Sequence, residues 1–148
     1  MLKTKIAVFV SGGGTNFEAL INAQENGKIP HGEIVLMVSS SKTAYALKRA
    51  ENHGIKSVVC SKKELGSQEK FEEEILKNLE ENNIQLIVLA GFMSILSKEF
   101  TKKYENRIIN IHPSLIPSFC GEGFYGLHVH EAALKKGVKV TGATVHIV

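Results

Sequence analysis

The sequence predicts an α/β fold, a Rossmann-like open, mostly parallel twisted sheet with helices on both faces. Short continuous apolar runs alternate with segments of helical periodicity along the chain, and this alternation gives a parallel sheet with right-handed crossovers. The apolar runs lack polar alternation, which is typical of strands buried on both faces. A chain of 148 residues is long enough for one domain with a proper core.

The N-terminal half alternates three predicted strands with two predicted helices. In order, we expect strand Ile6–Val10, helix Phe17–Ala23, strand Ile34–Val38, helix Thr43–His53 and strand Lys56–Cys60. Gly54 ends the second of these helices, because glycine is favoured just past a helix C-terminus.

The C-terminal half continues the same pattern. We expect helix Ser67–Asn82, strand Gln85–Ala90, helix Ser97–Tyr104 with Ser97 as its N-cap, a fifth strand running into Asn110 and His112, helix Leu127–Lys136 and strand Thr141–Val148. The helix of residues 67–82 is amphipathic. Its predicted buried stripe is Phe71, Ile75, Leu76 and Leu79, and its predicted solvated face carries Glu69, Glu72, Glu73 and Glu74.

A glycine-rich segment, Ser11-Gly12-Gly13-Gly14-Thr15-Asn16, joins the first strand to the first helix. In a strand–loop–helix unit, backbone N–H groups and the helix N-terminus can hold a phosphate. The dinucleotide fingerprint fails because Phe17 takes its third small position, and a Walker A sequence is absent. A phosphomonoester of a small sugar phosphate fits best. The alternative is a tight turn without a ligand, and Thr15 and Asn16 can cap the helix or bind the ligand.

Asn110 and His112 stand two residues apart at the end of the fifth strand, so they should project to the same side. Pro113 then stops the strand ladder. An amide can stabilise an oxyanion, and an imidazole can move protons near neutral pH. The alternative is that both side chains merely bind local backbone at a strand end.

The apolar segment Met93–Leu96 follows the fourth strand and can line a flat pocket for an aromatic ring. Its alternative is core packing beneath a loop. Ligands of parallel α/β sheets bind at the carboxyl ends of the strands. The glycine segment, Met93–Leu96 and the Asn110/His112 pair are all predicted at that edge, which favours a functional role for the pair.

Composition limits the classes of function. The chain is 43% apolar and 22% charged, as in soluble globular proteins, and its net charge of +3 is spread out, so neither nucleic acid nor membrane is an expected partner. We expect small-molecule substrates and leave oligomerisation open. Cys60 and Cys120 show no metal spacing and indicate the reducing cytoplasm. His128 and His130 lack helical ligand spacing, so no metal is predicted.

Together these residues resemble the phosphoribosylglycinamide formyltransferases of purine biosynthesis. The matching motifs are VSGGGTNFEAL, LAGFMSIL, INIHPSLIP, GLHVHEAAL and GATVHIV, which cover essentially the whole chain in order. The INIHPSLIP motif is shared with the wider folate-dependent formyltransferases, including those acting on methionyl-tRNA. The SGGGTN loop narrows the resemblance to the ribonucleotide enzymes.

The resemblance implies one formyltransferase-type domain over residues 1–148. It implies transfer of a formyl group from 10-formyltetrahydrofolate, as cosubstrate, to the amine of 5-phosphoribosylglycinamide. By the resemblance, the substrate phosphate binds at Gly14, Thr15 and Asn16. The folate binds at Met93, Ser94, Ile95, Leu96 and Asn110. The catalytic pair is Asn110 and His112, which stabilise the oxyanion and assist proton transfer.

The sequence also departs from the family pattern. The family has an Asp a few residues past the GATVHIV strand, which raises the pKa of the catalytic His. Since this sequence ends at Val148, we expect a C-terminally truncated form that lacks the usual last strand and helix and is weak or inactive alone. Gln68 stands where many relatives have a basic residue, Ser94 replaces a common Arg, and the loop Phe119–Gly126 is longer than in some relatives. Two alternative functions remain, a 10-formyltetrahydrofolate hydrolase and a non-catalytic phosphate- or nucleotide-binding module.

Overall fold

The computed structural model describes residues 3–112 and 144–147. Its elements are β1 (Thr4–Val10), α1 (Thr15–Glu25), β2 (Gly32–Ser39), α2 (Ala46–Asn52), β3 (Lys56–Val59), α3 (Lys62–Leu65), α4 (Gln68–Glu81), β4 (Leu86–Ala90), α5 (Lys98–Lys103), β5 (Ile108–His112) and β6 (Thr144–Ile147). The predicted helix Leu127–Lys136 lies outside the described residues. Within the predicted strand Thr141–Val148, the described part is a strand.

Within residues 3–112 and 144–147, the sheet has six strands in the order β3-β2-β1-β4-β5-β6. Strands β1 to β5 are parallel to their neighbours, and β6 pairs antiparallel with β5. The predicted fold class, a mostly parallel sheet, is therefore confirmed. The strand order reverses direction between β1 and β4, and this topological switch point is where open α/β sheets form a ligand crevice.

Two apolar layers cover the two faces of the sheet. On one face, α1 and α2 pack against β1, β2, β4 and β5, and the helices contribute Phe17, Leu20, Ile21, Ala46 and Ala50. On the other face, α4 and α5 pack through Phe71, Ile75, Leu79 and Phe100, together with Tyr104, the C-cap of α5. Every residue of β4 is buried, as expected for a central strand covered on both sides. The prediction of helices on both faces is confirmed.

Some element boundaries differ from the predictions. Helix α2 starts at Ala46 rather than Thr43, because the Ser41 hydroxyl binds the Thr43 backbone N–H and hydroxyl and favours a turn. The short helix α3 was not predicted, since it has no buried side chain to give an apolar period. The predicted N-cap Ser97 is confirmed, because its Oγ accepts from the Phe100 N–H at 3.2 Å.

The prediction that Glu72 lies on a solvated face is wrong. Glu72 is only 9% exposed, whereas Glu69 and Glu73 are exposed on the same helix. Burial of this carboxylate is possible because Ser97 and Gln68 donate hydrogen bonds to it.

Candidate functional site

The glycine loop, residues 11–16, follows β1 at the switch point. Gly14 is the N-cap of α1 and has φ +77°, a left-handed conformation that glycine adopts without strain. A Cβ at Gly14 would lie 2.7 Å from the Cβ of Ala46 on α2. Thr15 and Asn16 are the first residues of α1, and Gly14 provides no side-chain cap. The helix-capping alternative for Thr15 and Asn16 is therefore wrong.

Helix α2 braces the glycine loop from one side. The Ala46 N–H donates to the Gly12 carbonyl at 3.3 Å, and Arg49 Nε donates to the Gly13 carbonyl at 2.7 Å. The Arg49 guanidinium also lies 3.4 Å from a carboxylate oxygen of Glu18. These contacts hold the loop through its carbonyl oxygens, so the bracing does not use its N–H groups.

A second clamp joins α1 to the end of α2. His53 Nε2 lies 2.7 Å from a Glu18 carboxylate oxygen, and His53 Nδ1 lies 3.2 Å from Glu25. The hydrogen bond to Glu18 raises the pKa of His53, burial opposes the rise, and Glu25 adds to it. The clamp fixes the two helices whose ends surround the glycine loop.

The apolar loop, residues 91–97, follows β4 on the other side of the switch point. Met93 and Ile95 are 83% and 81% exposed, whereas Ser94 is half-buried. Phe92 packs edge-on against Phe9 with ring centroids 5.3 Å apart. Leu96 packs on the layer of α4 and α5. Core packing therefore describes Leu96 but not Met93 or Ile95. Large apolar side chains exposed next to each other indicate a binding surface.

Ser11 connects the two loops. Its Oγ accepts from the Met93 N–H at 2.8 Å and lies 2.5 Å from Ser40 Oγ. One hydroxyl just after β1 thus fixes the main chain of the apolar loop, which follows β4. The predicted phosphate and folate segments lie side by side at the carboxyl edge of the sheet.

Asn110 lies on β5 at the same edge and is half-buried. Its neighbours Ile109 and Ile111 are buried against the layer of α1 and α2. Because strand residues alternate between faces, Asn110 lies on the face of α4 and α5, where Leu96 also packs. His112 is the last residue of β5, and its backbone pairs with that of Thr144.

The distance between these parts suits a small substrate. Only β4 separates β5 from β1, and neighbouring strands lie about 4.8 Å apart, so the end of β5 is on the order of 10 Å from the end of β1. Asn110, the apolar loop and the glycine loop therefore lie along one edge of the sheet, close to the switch point.

Among the other residues considered for chemistry, only Cys60 lies in the part of the chain that the structure describes. Cys60 is a buried free thiol, and burial together with the Glu74 carboxylate raises its pKa to about 12. Within residues 3–112 and 144–147, no group of three His, Cys, Asp or Glu side chains could hold a metal. Cys120, His128, His130 and the loop Phe119–Gly126 lie outside the described residues.

The bracing residues were missed by the sequence analysis. Arg49, Glu18 and His53 contact one another or the loop across 31 to 36 positions of the chain. No periodicity or short motif reports such contacts, because they exist only once α1 and α2 pack on the same sheet face.

A family model described as "Formyl transferase" matches residues 4–148. The trifunctional purine biosynthetic protein adenosine-3 of Gallus gallus is 47% identical over 146 residues, which are 99% of this chain and 14% of that protein. The chloroplastic phosphoribosylglycinamide formyltransferase of Vigna unguiculata is 33% identical, over 99% of this chain and 46% of that protein. The chain thus spans less than half the length of these relatives.

Solved structures are similar along nearly the whole chain. The phosphoribosylglycinamide formyltransferase from Brucella melitensis is 42% identical with a TM-score of 0.76, over 98% of this chain and 72% of that one. The glycinamide ribonucleotide transformylase 1 from Geobacillus kaustophilus is 38% identical with a TM-score of 0.77, over 99% and 74%. The chain therefore belongs to the formyl transferase family, among the phosphoribosylglycinamide formyltransferases.

Proposed function

We propose that the protein carrying this chain transfers a formyl group from 10-formyltetrahydrofolate to the amine of 5-phosphoribosylglycinamide, a step of de novo purine biosynthesis. One observation carries the proposal. Asn110, the exposed apolar loop and the glycine loop lie along one edge of the sheet, close to the switch point, where open α/β sheets form a ligand crevice. The names of the similar proteins support the choice of reaction.

The two substrates take opposite sides of the crevice in this proposal. The substrate phosphate binds at Gly14, Thr15 and Asn16, where the N-terminus of α1 favours an anion. The flat pterin ring of the folate lies against Met93, Ser94, Ile95 and Leu96. This arrangement brings the glycinamide amine and the formyl carbon together beside Asn110.

The chemistry follows from the groups at the end of β5. The amine attacks the formyl carbon, and negative charge develops on the formyl oxygen. The Asn110 amide donates a hydrogen bond to that oxygen, and a protonated His112 adds to its stabilisation. The amine nitrogen then loses its proton, the bond from the formyl carbon to N10 of the folate breaks, and N10 takes up a proton. His112 assists this transfer.

The proposal extends to the partners and compartment. Family membership supports a folate-type formyl donor, and no step requires a metal. The substrates are small molecules, with no role for nucleic acid. None of the helices within residues 3–112 is long and apolar enough to cross a membrane. The buried free thiol of Cys60 supports a reducing compartment. We propose the cytoplasm, although the plant relative is named as chloroplastic.

The test is a formyl-transfer assay on the protein that carries this chain, with both substrates. We expect formylation of the amine, and we expect Asn110→Ala to lower kcat on the order of a hundredfold by removing an oxyanion donor. Asn22→Ala, at an exposed position of α1, is the control and should keep full activity. Formate release without the amine substrate would indicate a hydrolase instead. Phosphate binding without folate binding would indicate a binding module.

A further inference from the structure

The apolar loop has an unusual form of support. Its two most exposed side chains, Met93 and Ile95, give it no anchor in the core. Phe92 and Leu96 pack on the apolar layer of α4 and α5, and three hydrogen bonds with side chains elsewhere hold the main chain of the loop. Ser11 accepts from the Met93 N–H, Gln68 donates to the Ile95 carbonyl, and Glu72 accepts from the Ser97 N–H.

Glu72 is the centre of this support. Its Oε2 accepts from the Ser97 N–H at 2.6 Å, and its Oε1 accepts from the Ser97 hydroxyl at 2.6 Å. The same hydroxyl accepts from the Phe100 N–H to cap α5. Among the ion pairs of residues 3–112, none includes Glu72. The carboxylate therefore joins α4 to the end of the loop and the start of α5.

Gln68 extends the support to the middle of the loop. Its Nε2 donates to Glu72 Oε2 at 2.7 Å and to the Ile95 carbonyl at 2.8 Å. Gln68 and Glu72 are one helical turn apart and lie on one side of α4. The two protons of the amide are both used, so the amide has a fixed orientation.

We propose that Glu72 and Gln68 are positioning residues that hold the apolar loop in the shape that receives the folate cosubstrate. The inference rests on the proposed function and deepens it, since neither side chain need touch a substrate. A loop that keeps apolar side chains in water gains little stability from them and needs another restraint. Holding it in the bound shape before binding lowers the entropy cost of binding.

The ionised carboxylate is essential to this role. Burial raises the pKa of Glu72, but the hydrogen bonds from Ser97 and Gln68 outweigh that effect and lower the pKa overall. Glu72 is therefore charged at neutral pH, and charge-assisted hydrogen bonds are the stronger kind. A glutamine has the same shape, but its NH₂ group would face one of the donors that now point at Glu72.

The test compares the KM values of the two substrates in Glu72→Gln with those in wild type. Loss of charge-assisted bonds should raise the KM of the folate cosubstrate about tenfold and change the KM of phosphoribosylglycinamide by less than about twofold. Glu73→Gln is the matched control, one residue along α4 and exposed. It should behave as wild type. A general loss of structure would move both KM values, so equal rises in both would overturn the inference.

A second variant covers the case in which Glu72→Gln fails to fold. Gln68→Ala removes the bond to the Ile95 carbonyl at a half-buried position. It should raise the KM of the folate cosubstrate about fivefold and leave that of the amine substrate unchanged. If Glu72→Gln folds, adding Gln68→Ala to it should raise the KM of the folate cosubstrate by a smaller factor than Gln68→Ala does alone, because both side chains act on one loop.

The two proposals fail in different ways. A wild-type protein that binds no folate analogue overturns the proposed function and this inference with it. A wild-type protein that transfers formyl groups while Gln68→Ala and Glu72→Gln keep wild-type KM values overturns the inference alone.

Discussion

The glycine loop and the apolar loop follow the two central strands, β1 and β4, at one edge of the sheet. The charged residues that support the two loops have opposite charges. A cation holds the glycine loop, since Arg49 donates to the Gly13 carbonyl. An anion holds the apolar loop, since Glu72 accepts from the Ser97 N–H. The glycine loop is thus fixed through carbonyl oxygens, and the apolar loop largely through N–H groups.

This difference agrees with what each loop is proposed to bind. A loop that receives a phosphate needs its N–H groups for the ligand, so its support uses carbonyl oxygens. A loop that receives a flat ring needs its apolar side chains, so its support uses the main chain and leaves Met93 and Ile95 outward. In each loop, the support spares the groups that the proposed ligand would contact.

The largest effect is expected at Gly14. Gly14→Ala places a Cβ 2.7 Å from Ala46 at φ +77°, so α2 must move away from the loop that it braces. We expect kcat/KM for phosphoribosylglycinamide to fall on the order of a hundredfold, as for a misplaced binding group. Steady-state kinetics checks this result.

The control for Gly14→Ala is Gly27→Ala, which has φ +73° but meets nothing within 4 Å. It carries the same backbone strain, about 1–2 kcal/mol, without the clash, and should keep wild-type kcat/KM. Equal losses of kcat/KM in the two variants would show that backbone strain, rather than the clash with Ala46 of α2, lowers kcat/KM.

A smaller effect is expected when the bracing cation is removed. Arg49→Gln loses the hydrogen bond to the Gly13 carbonyl and the ion pair with Glu18. The KM of phosphoribosylglycinamide should rise about tenfold, and the KM of the folate cosubstrate should not change. Lys48→Gln, next to it and exposed, should match wild type. A wild-type KM in Arg49→Gln would refute the bracing role.

The hydrogen bond from the Met93 N–H to Ser11 is a joint between the two loops. Its removal should have a weaker effect on KM, and the effect should be similar for both substrates. Ser11→Ala removes the acceptor for the Met93 N–H and the contact with Ser40. Since the joint belongs to both loops, both KM values should rise about threefold to fivefold. Ser57→Ala, exposed on β3, serves as control. A rise in one KM alone would assign Ser11 to a single loop.

The smallest effect concerns pH. The hydrogen bond to Glu18 raises the pKa of His53, burial opposes the rise, and Glu25 adds to it. The clamp is therefore fully present below the pKa of His53 in the unfolded chain, about 6.5. It is lost as pH rises through the folded pKa. The free energy of unfolding of wild type should exceed that of His53→Gln most at about pH 6 and least at about pH 9. Chemical denaturation measures this difference, and a constant or growing difference with pH would contradict it.

The strands and the common edge were predictable because they depend on local pattern. The runs at Ile6–Val10 and Gln85–Ala90 are continuous and apolar, so they mark central strands within two residues of the observed bounds. The alternation of strands and helices predicts parallel strands, so the loops that follow β1 and β4 lie at one edge of the sheet. The predicted helix Ser67–Asn82 is observed with Ser67 as its N-cap and Asn82 as its C-cap. Its start was predictable because a serine N-cap is recognisable from the local sequence.

The supports of the loops could not be predicted in the same way. Contacts of Arg49 with Gly13, and of Glu72 with Ser97, join residues 36 and 25 positions apart. One signal was present for Glu72, which stands three and seven residues before the buried Ile75 and Leu79, on the same side of α4. The surrounding run of glutamates obscured it. The binding of the phosphate and of the folate to the two loops, and the catalytic roles of Asn110 and His112, remain predictions.

The most direct test measures both KM values in Arg49→Gln and in Glu72→Gln, in the protein that carries this chain. We predict a crossed pattern, in which Arg49→Gln raises only the KM of phosphoribosylglycinamide and Glu72→Gln raises only that of the folate cosubstrate. If both variants raised the KM of the same substrate, the two loops would not serve two substrates.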